Sequence, residues 1–173
     1  MRYLSLMALV WAAGRPQTLS AQSANDSVQA ATLVQLKAVI ASYEPAQQIR
    51  WYRANDAFDL DGFLDKGIKW ANRLEVYITV THQATIWIRV YPQYYGHHVN
   101  LDHVHDPNGF MQQMLKNSYH NFFFWGLDDN RDAFAGYQFT LESGFPEASV
   151  KEVIKSIALV DNAVGDLTPF IFR

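Results

Sequence analysis

An α+β fold, an antiparallel sheet of hairpins with helices packed on it, is what this sequence predicts, from three observations. Runs 74–81 and 85–91 alternate apolar with polar residues and are joined by a short polar turn. Farther along, the aromatic run 122–127 and the alternating run 134–142, joined by a polar turn, form a second hairpin. Between and around these hairpins lie stretches with apolar residues every three or four positions, the spacing of amphipathic helices. The chain has 173 residues, 49% hydrophobic and 14% aromatic, enough apolar surface for one core without metal or disulfide support. Grouped hairpins with intervening helices read as helices layered on an antiparallel sheet.

Taken in order, Asn25, Asp26 and Ser27 supply capping side chains. Ala30, Leu33, Leu36, Ile40 and Tyr43 then form one stripe, predicting a helix over about 27–43 that Pro45 ends. Residues 49–53 suit a short strand. Residues 59–74 place Leu60, Leu64, Ile68 and Ala71 on one helical face, although Gly62 and Gly67 weaken it. In the first hairpin Val76, Ile78 and Val80 alternate with Glu75, Tyr77 and Thr79. Ile86, Ile88 and Val90 alternate with Trp87, Arg89 and Tyr91, and Pro92 is expected to end the strand.

Asp106-Pro107 is a helix start, with Asp at the cap and Pro at the first helical position. Met111, Met114, Leu115 and Ser118 are expected on that helix's packed face. An aromatic strand 122–127 follows, then the polar turn 128–132 and a return strand with Ala135, Tyr137, Phe139 and Leu141 on one face. A last helix carries Val150, Val153, Ile154, Ile157, Val160, Val164 and Leu167, with Pro169 ending it.

The N-terminus has the pattern of a secretory leader: Arg2, an apolar stretch over 4–13, then small and polar residues. Cleavage after Ser23 or after Ala21 fits the small-residue rule. Residues 1–23 are therefore expected to be a signal peptide and 24–173 an exported domain, periplasmic or secreted. Removing Arg2 and Arg15 moves the net charge from −3 to −5. An acidic chain without a basic run is a poor match for nucleic acid or anionic membrane. No apolar run is long enough for an ordinary transmembrane helix, so no stable membrane insertion is expected after leader cleavage.

The segment 97–106 holds four His and two Asp in ten residues. Imidazole and carboxylate suit Zn or another transition metal, so His97, His98, His103 and His105 are candidate ligands. Completing a site would take convergence through the fold, with His82 or His120 as further donors. The alternative is a polar connection between strand and helix, with no cofactor. Asp56, Asp59, Asp61 and Gly62 resemble part of a calcium loop, but Ala57 and Ile68 stand where its first and last ligands belong. There is no Gly-x-Ser-x-Gly elbow, phosphate loop or dinucleotide fingerprint, and with no Cys there is no thiolate chemistry. Trp87, Tyr91, Phe122, Phe124 and Trp125 are the candidate partner-binding residues, since aromatic rings on exposed strands mark interaction surfaces.

Met114-Leu115-Lys116-Asn117 at a helix end, Phe122 through Asp129 as strand and turn, Ala135 through Leu141 as return strand, and the apolar helix opened by Gly144 and Glu147 form a connected pattern. Over about residues 107–168 this resembles the YbjN family of bacterial sensory-transduction regulators, whose domain is similar to type III secretion chaperones. The resemblance implies a helix-covered antiparallel sheet, no catalytic activity, and a regulatory or protein-binding role through a protein partner or self-association. A metal-binding protein built on the His segment and an immunity-type toxin-binding protein are the alternatives.

Overall fold

A computed structural model describes residues 17–52, 59–83 and 85–172, with side chains from Asp26 onward within those ranges. Of the expected leader, residues 1–16 lie outside the described residues. Residues 17–23 belong to helix α1 (Gln17–Ser42), which starts ten residues before the predicted start at 27. Helix α2 (Glu44–Gln47) follows, then strands β1 (Arg50–Tyr52), β2 (Asp59–Leu64), β3 (Arg73–Thr81), β4 (Thr85–Tyr94) and β5 (His97–His98). Helix α3 (Pro107–His120), strands β6 (Phe124–Leu127) and β7 (Ala133–Thr140), and helices α4 (Glu147–Ser156) and α5 (Val160–Ile171) complete the chain.

The fold is α+β, with one seven-stranded antiparallel sheet. Its order is β1-β2-β3-β4-β7-β6, with β5 paired to β4. Strand alternation divides this sheet into two faces. Val76, Ile78 and Val80 of β3 stand opposite Val90, Ile88 and Ile86 of β4. Ile86, Ile88 and Val90 in turn oppose Phe139, Tyr137 and Ala135 of β7. This aliphatic face packs with Leu36 and Val39 of α1, Phe110 and Met114 of α3, Val153 and Ile154 of α4, and Val164 and Leu167 of α5.

Several elements differ from expectation for local physical reasons. Residues 59–64 are strand β2, not the start of a helix, because Leu60, Gly62 and Leu64 alternate toward the core as well as fitting a helical stripe. Gly62 is required there: a Cβ would stand 2.8 Å from Ile49 Cγ2 and 2.9 Å from Trp51 Cε3. Strand β4 runs through Pro92 to Tyr94. The β7 pairing stops at Val90, and the Pro92 carbonyl turns away from β3 to accept the Val99 N–H at 3.3 Å. The missing Pro N–H therefore leaves no ladder partner unpaired.

On α3 the buried residues are Phe110, Met114 and Asn117, whereas Met111 and Leu115 are exposed. Asp106 caps that helix as expected, its side chain accepting the Gly109 N–H at 3.0 Å. The last helix is two, α4 and α5, joined by a 3-10 turn at Ile157–Leu159, and Pro169 lies inside α5. Among the described residues, no helix is long and apolar enough to cross a membrane.

Candidate functional site

The second face of the sheet is formed by the residues that alternate against the core. One row crosses every long strand: Tyr52 of β1 opposes Asp61 of β2, which opposes Tyr77 of β3. Tyr77 opposes Arg89 of β4, which opposes Gly136 of β7, and Gly136 opposes Phe124 of β6. Flanking rows add Glu75, Tyr91, Thr79, Trp87 and Gln138. The helices in the buried cluster all contribute to the aliphatic face, so among the described residues this face carries no helix.

Aromatic rings pack on one another across it. Phe124 meets Phe134 edge-on at 6.0 Å, and Phe134 meets Trp87 at 6.1 Å and Tyr91 at 5.6 Å. Tyr91 continues to Tyr77 at 5.4 Å and to the His98 ring at 4.9 Å. Gly136 makes room for this array, since a Cβ there would stand 2.6 Å from Phe124 Cζ.

A polar cluster sits at the end of the array. His98 Nε2 lies 2.9 Å from Glu75 Oε2, and its Nδ1 lies 3.3 Å from Asp132 Oδ2. Tyr77 donates its hydroxyl to the same Glu75 oxygen at 2.7 Å, and Asn100 donates to Asp132 Oδ1 at 2.8 Å. Burial alone would push the Glu75 carboxyl up, but hydrogen bonds from His98 and Tyr77 outweigh it and hold the pKa below the ordinary value. Burial, then the bond to Glu75, pushes the Tyr77 phenol up. Asp61 is pushed up by burial and by the neighbouring charges of Asp59 and Glu75, against the pull of Arg89.

Three polar atoms on this face are buried without a hydrogen-bond partner among the described residues: Asp61 Oδ1, Trp87 Nε1 and Arg89 Nε. The Arg89 guanidinium lies 4.8 Å from the Trp87 ring centroid and reaches Thr79 Oγ1 at 3.4 Å. Beside it a cavity of about 160 Å³ is walled by Tyr77, Tyr91, His98, Asp128 and Asp132. Around the β4–β5 turn a larger cavity, of about 500 Å³, is lined by Gln93, His97, His98, Asn100, His103 and Asp132.

The predicted aromatic set is thereby divided. Trp87, Tyr91 and Phe124 share the helix-free face, with Tyr91 buried by its neighbours. Trp125 points the other way and is a core residue. Phe122 stacks on Tyr137 at 4.7 Å, at the edge of the helix-covered side. Among the His residues, His98 is held between carboxylates, while His97 and His103 are exposed on the larger cavity and His105 is exposed away from it. His82 lies at the other end of the hairpin, 4.0 Å from Asp26. Among the described residues, no group of three or more His, Asp or Glu is placed to hold a metal ion. Sequence reasoning considered Asp61 only within an incomplete calcium loop and did not single out Glu75, Tyr77, Arg89 or Asp132. Four of these five alternate against the aliphatic residues of β2, β3 and β4, and that alternation was the available signal. Comparison with family models, curated proteins and solved structures finds no match for this chain.

Proposed function

We propose that the chain is a non-catalytic binding module, exported by its N-terminal leader, whose helix-free sheet face receives a protein partner. The observation that carries this reading is the composition of that face. Aromatic rings surround three buried polar atoms that lack partners among the described residues, Asp61 Oδ1, Trp87 Nε1 and Arg89 Nε. Buried polar groups in folded proteins are nearly always paired, and such groups beside exposed rings fit a surface completed by another molecule. The arrangement of α3 with its late Asn117, β6 running into the Asp128-Asp129 turn, β7 and the apolar α4–α5 pair supports the YbjN-like regulatory reading.

A photo-crosslinking residue at Gln138, exposed on this face in β7, tests the proposal in the full chain expressed in its own host. The comparison position is Val34, exposed on α1. A discrete adduct from Gln138 and none from Val34 is expected. No adduct from Gln138, or the same adducts from both, would overturn the reading.

A further inference from the structure

We propose that the outer side of α3 is a self-association surface, on which Met111, Leu115 and Tyr119 pack against the same residues of a second copy of this chain. This surface lies apart from the helix-free sheet face, and different residues carry it.

The starting point is a mismatch between residue type and exposure. A helix layered on a sheet turns its apolar stripe inward and its polar residues outward. In α3 the buried positions are Phe110, Met114 and Asn117. Met111, Leu115 and Tyr119 are nonetheless 44%, 69% and 85% exposed. They stand four residues apart, so they form one line along the helix, about 12 Å long. Apolar residues exposed singly are ordinary, but a line of them marks a contact surface.

Symmetry, charge and area favour a second copy as the occupant. The line is symmetric about Leu115. A two-fold axis there sets Leu115 against Leu115 of the partner subunit, and Met111 against Tyr119 of the partner subunit, a thioether on an aromatic ring. The helix contains no Asp or Glu, so the contact brings no carboxylates together although the chain carries a net charge of −3. Lys116 sits beside the line, where its stem can cover apolar surface while the ammonium stays in water. The three apolar residues expose about 450 Å² on one copy, and the exposed Asn108, Gln112 and Lys116 beside them extend the contact toward the roughly 800 Å² per partner of a standard interface. A contact at the small end of that class suits a reversible dimer, with a dissociation constant of about 10–100 μM.

The neighbouring sheet edge is closed to the competing mode of assembly. Strand β6 ends the sheet, but its Trp125 N–H donates to Ser118 Oγ of α3 at 2.7 Å. An added strand would meet a donor already taken, so the helix and not the strand is the surface presented.

The chain has no Cys, so a single introduced thiol reports only its own surroundings. Leu115→Cys in the full chain, treated with a short bis-maleimide, should give covalent dimer at least about tenfold faster than Val34→Cys, a control of matching exposure on α1. Sedimentation velocity of the wild-type chain should pass from one copy to two between about 1 and 500 μM, a range that brackets the expected constant. Leu115→Glu should weaken the dimer at least about tenfold by placing like charges together at the axis, and Val34→Glu should leave it unchanged. One copy at every concentration, equal linkage rates from the two thiols, or association that Leu115→Glu leaves unchanged would overturn the proposal. The wild-type sedimentation and the pair of thiols decide even where Leu115→Glu does not fold. A photo-crosslinking residue at position 115 in the host separates the occupants. An adduct of twice the chain's mass supports the second copy. An adduct of another mass, from a chain that sediments as one copy, assigns the line to a different partner and overturns it.

Discussion

Asp61 and Glu75 face the same side of the sheet, yet their surroundings move them in opposite directions. Asp61 is only 8% exposed, one of its oxygens is unpartnered, and burial with nearby Asp59 and Glu75 raises its pKa above the ordinary 3.8. Its favourable contribution is therefore complete below the unfolded value and is lost as pH rises through the higher folded one. Asp61→Asn should raise the melting temperature at pH 7, by about 2–4 °C for each kcal/mol recovered, with an advantage that shrinks toward pH 3. Thermal melts across that range check it; an advantage independent of pH would contradict it. Glu75 has the reverse sign. Its folded pKa lies below 4.5, so its contribution is present above the ordinary value and lost as pH falls through the folded one. His98 links Glu75 to Asp132, and with it β3, β5 and the turn before β7. His98→Ala leaves two part-buried carboxylates without their shared donor and should cost about 2 kcal/mol at pH 7 by urea unfolding. That penalty should diminish in acid as Glu75 takes up a proton.

The segment 65–72 between β2 and β3 shows what an element-scale reading of this sequence captures and what it misses. Leu60, Leu64, Ile68 and Ala71 look helical because a spacing of four satisfies both a helix and, over Leu60 to Leu64, a strand. The choice is made by pairing with β3 and by a carboxylate ninety residues away. Asp161, buried at 3% exposure in the first turn of α5, accepts the N–H groups of Lys69, Trp70 and Ala71. Trp70 then lies over Gly165, where a Cβ would stand 2.6 Å from the indole nitrogen. No local pattern announces such a long-range clamp, whereas the β3–β4 hairpin was legible because its period and its turn agree. Asp161→Ala strands three backbone donors and should cost about 3 kcal/mol. Hydrogen exchange should show the amides of Lys69 to Ala71 losing protection before those of β3; unchanged protection would show that the clamp holds nothing.

At the scale of the whole molecule, the sheet separates a face that stabilises from a face free to bind. The two-face alternation was readable in β3 and β4. Which face the helices cover was not, because that depends on how α1, α3, α4 and α5 dock. The aromatic candidates were for this reason grouped together although the fold divides them. The His segment was visible as a cluster, but the carboxylates that hold His98 come from β3 and from the turn before β7, and only folding brings them together. Adjacent residues of β6 make the division measurable. Trp125 is 7% exposed within the core, and Phe124 is 41% exposed on the helix-free face. Trp125→Ala opens a cavity under α3 and α5 and should cost about 3–5 kcal/mol. Phe124→Ala removes a ring held mainly by Phe134 and Gly136 and should cost about 1 kcal/mol. Urea unfolding of the two variants should differ by at least about 2 kcal/mol. Photo-crosslinking from Gln138 should be reduced by Phe124→Ala, whose fold is nearly intact. Equal destabilisation by the two substitutions would mean that both faces are core, leaving no surface for a partner.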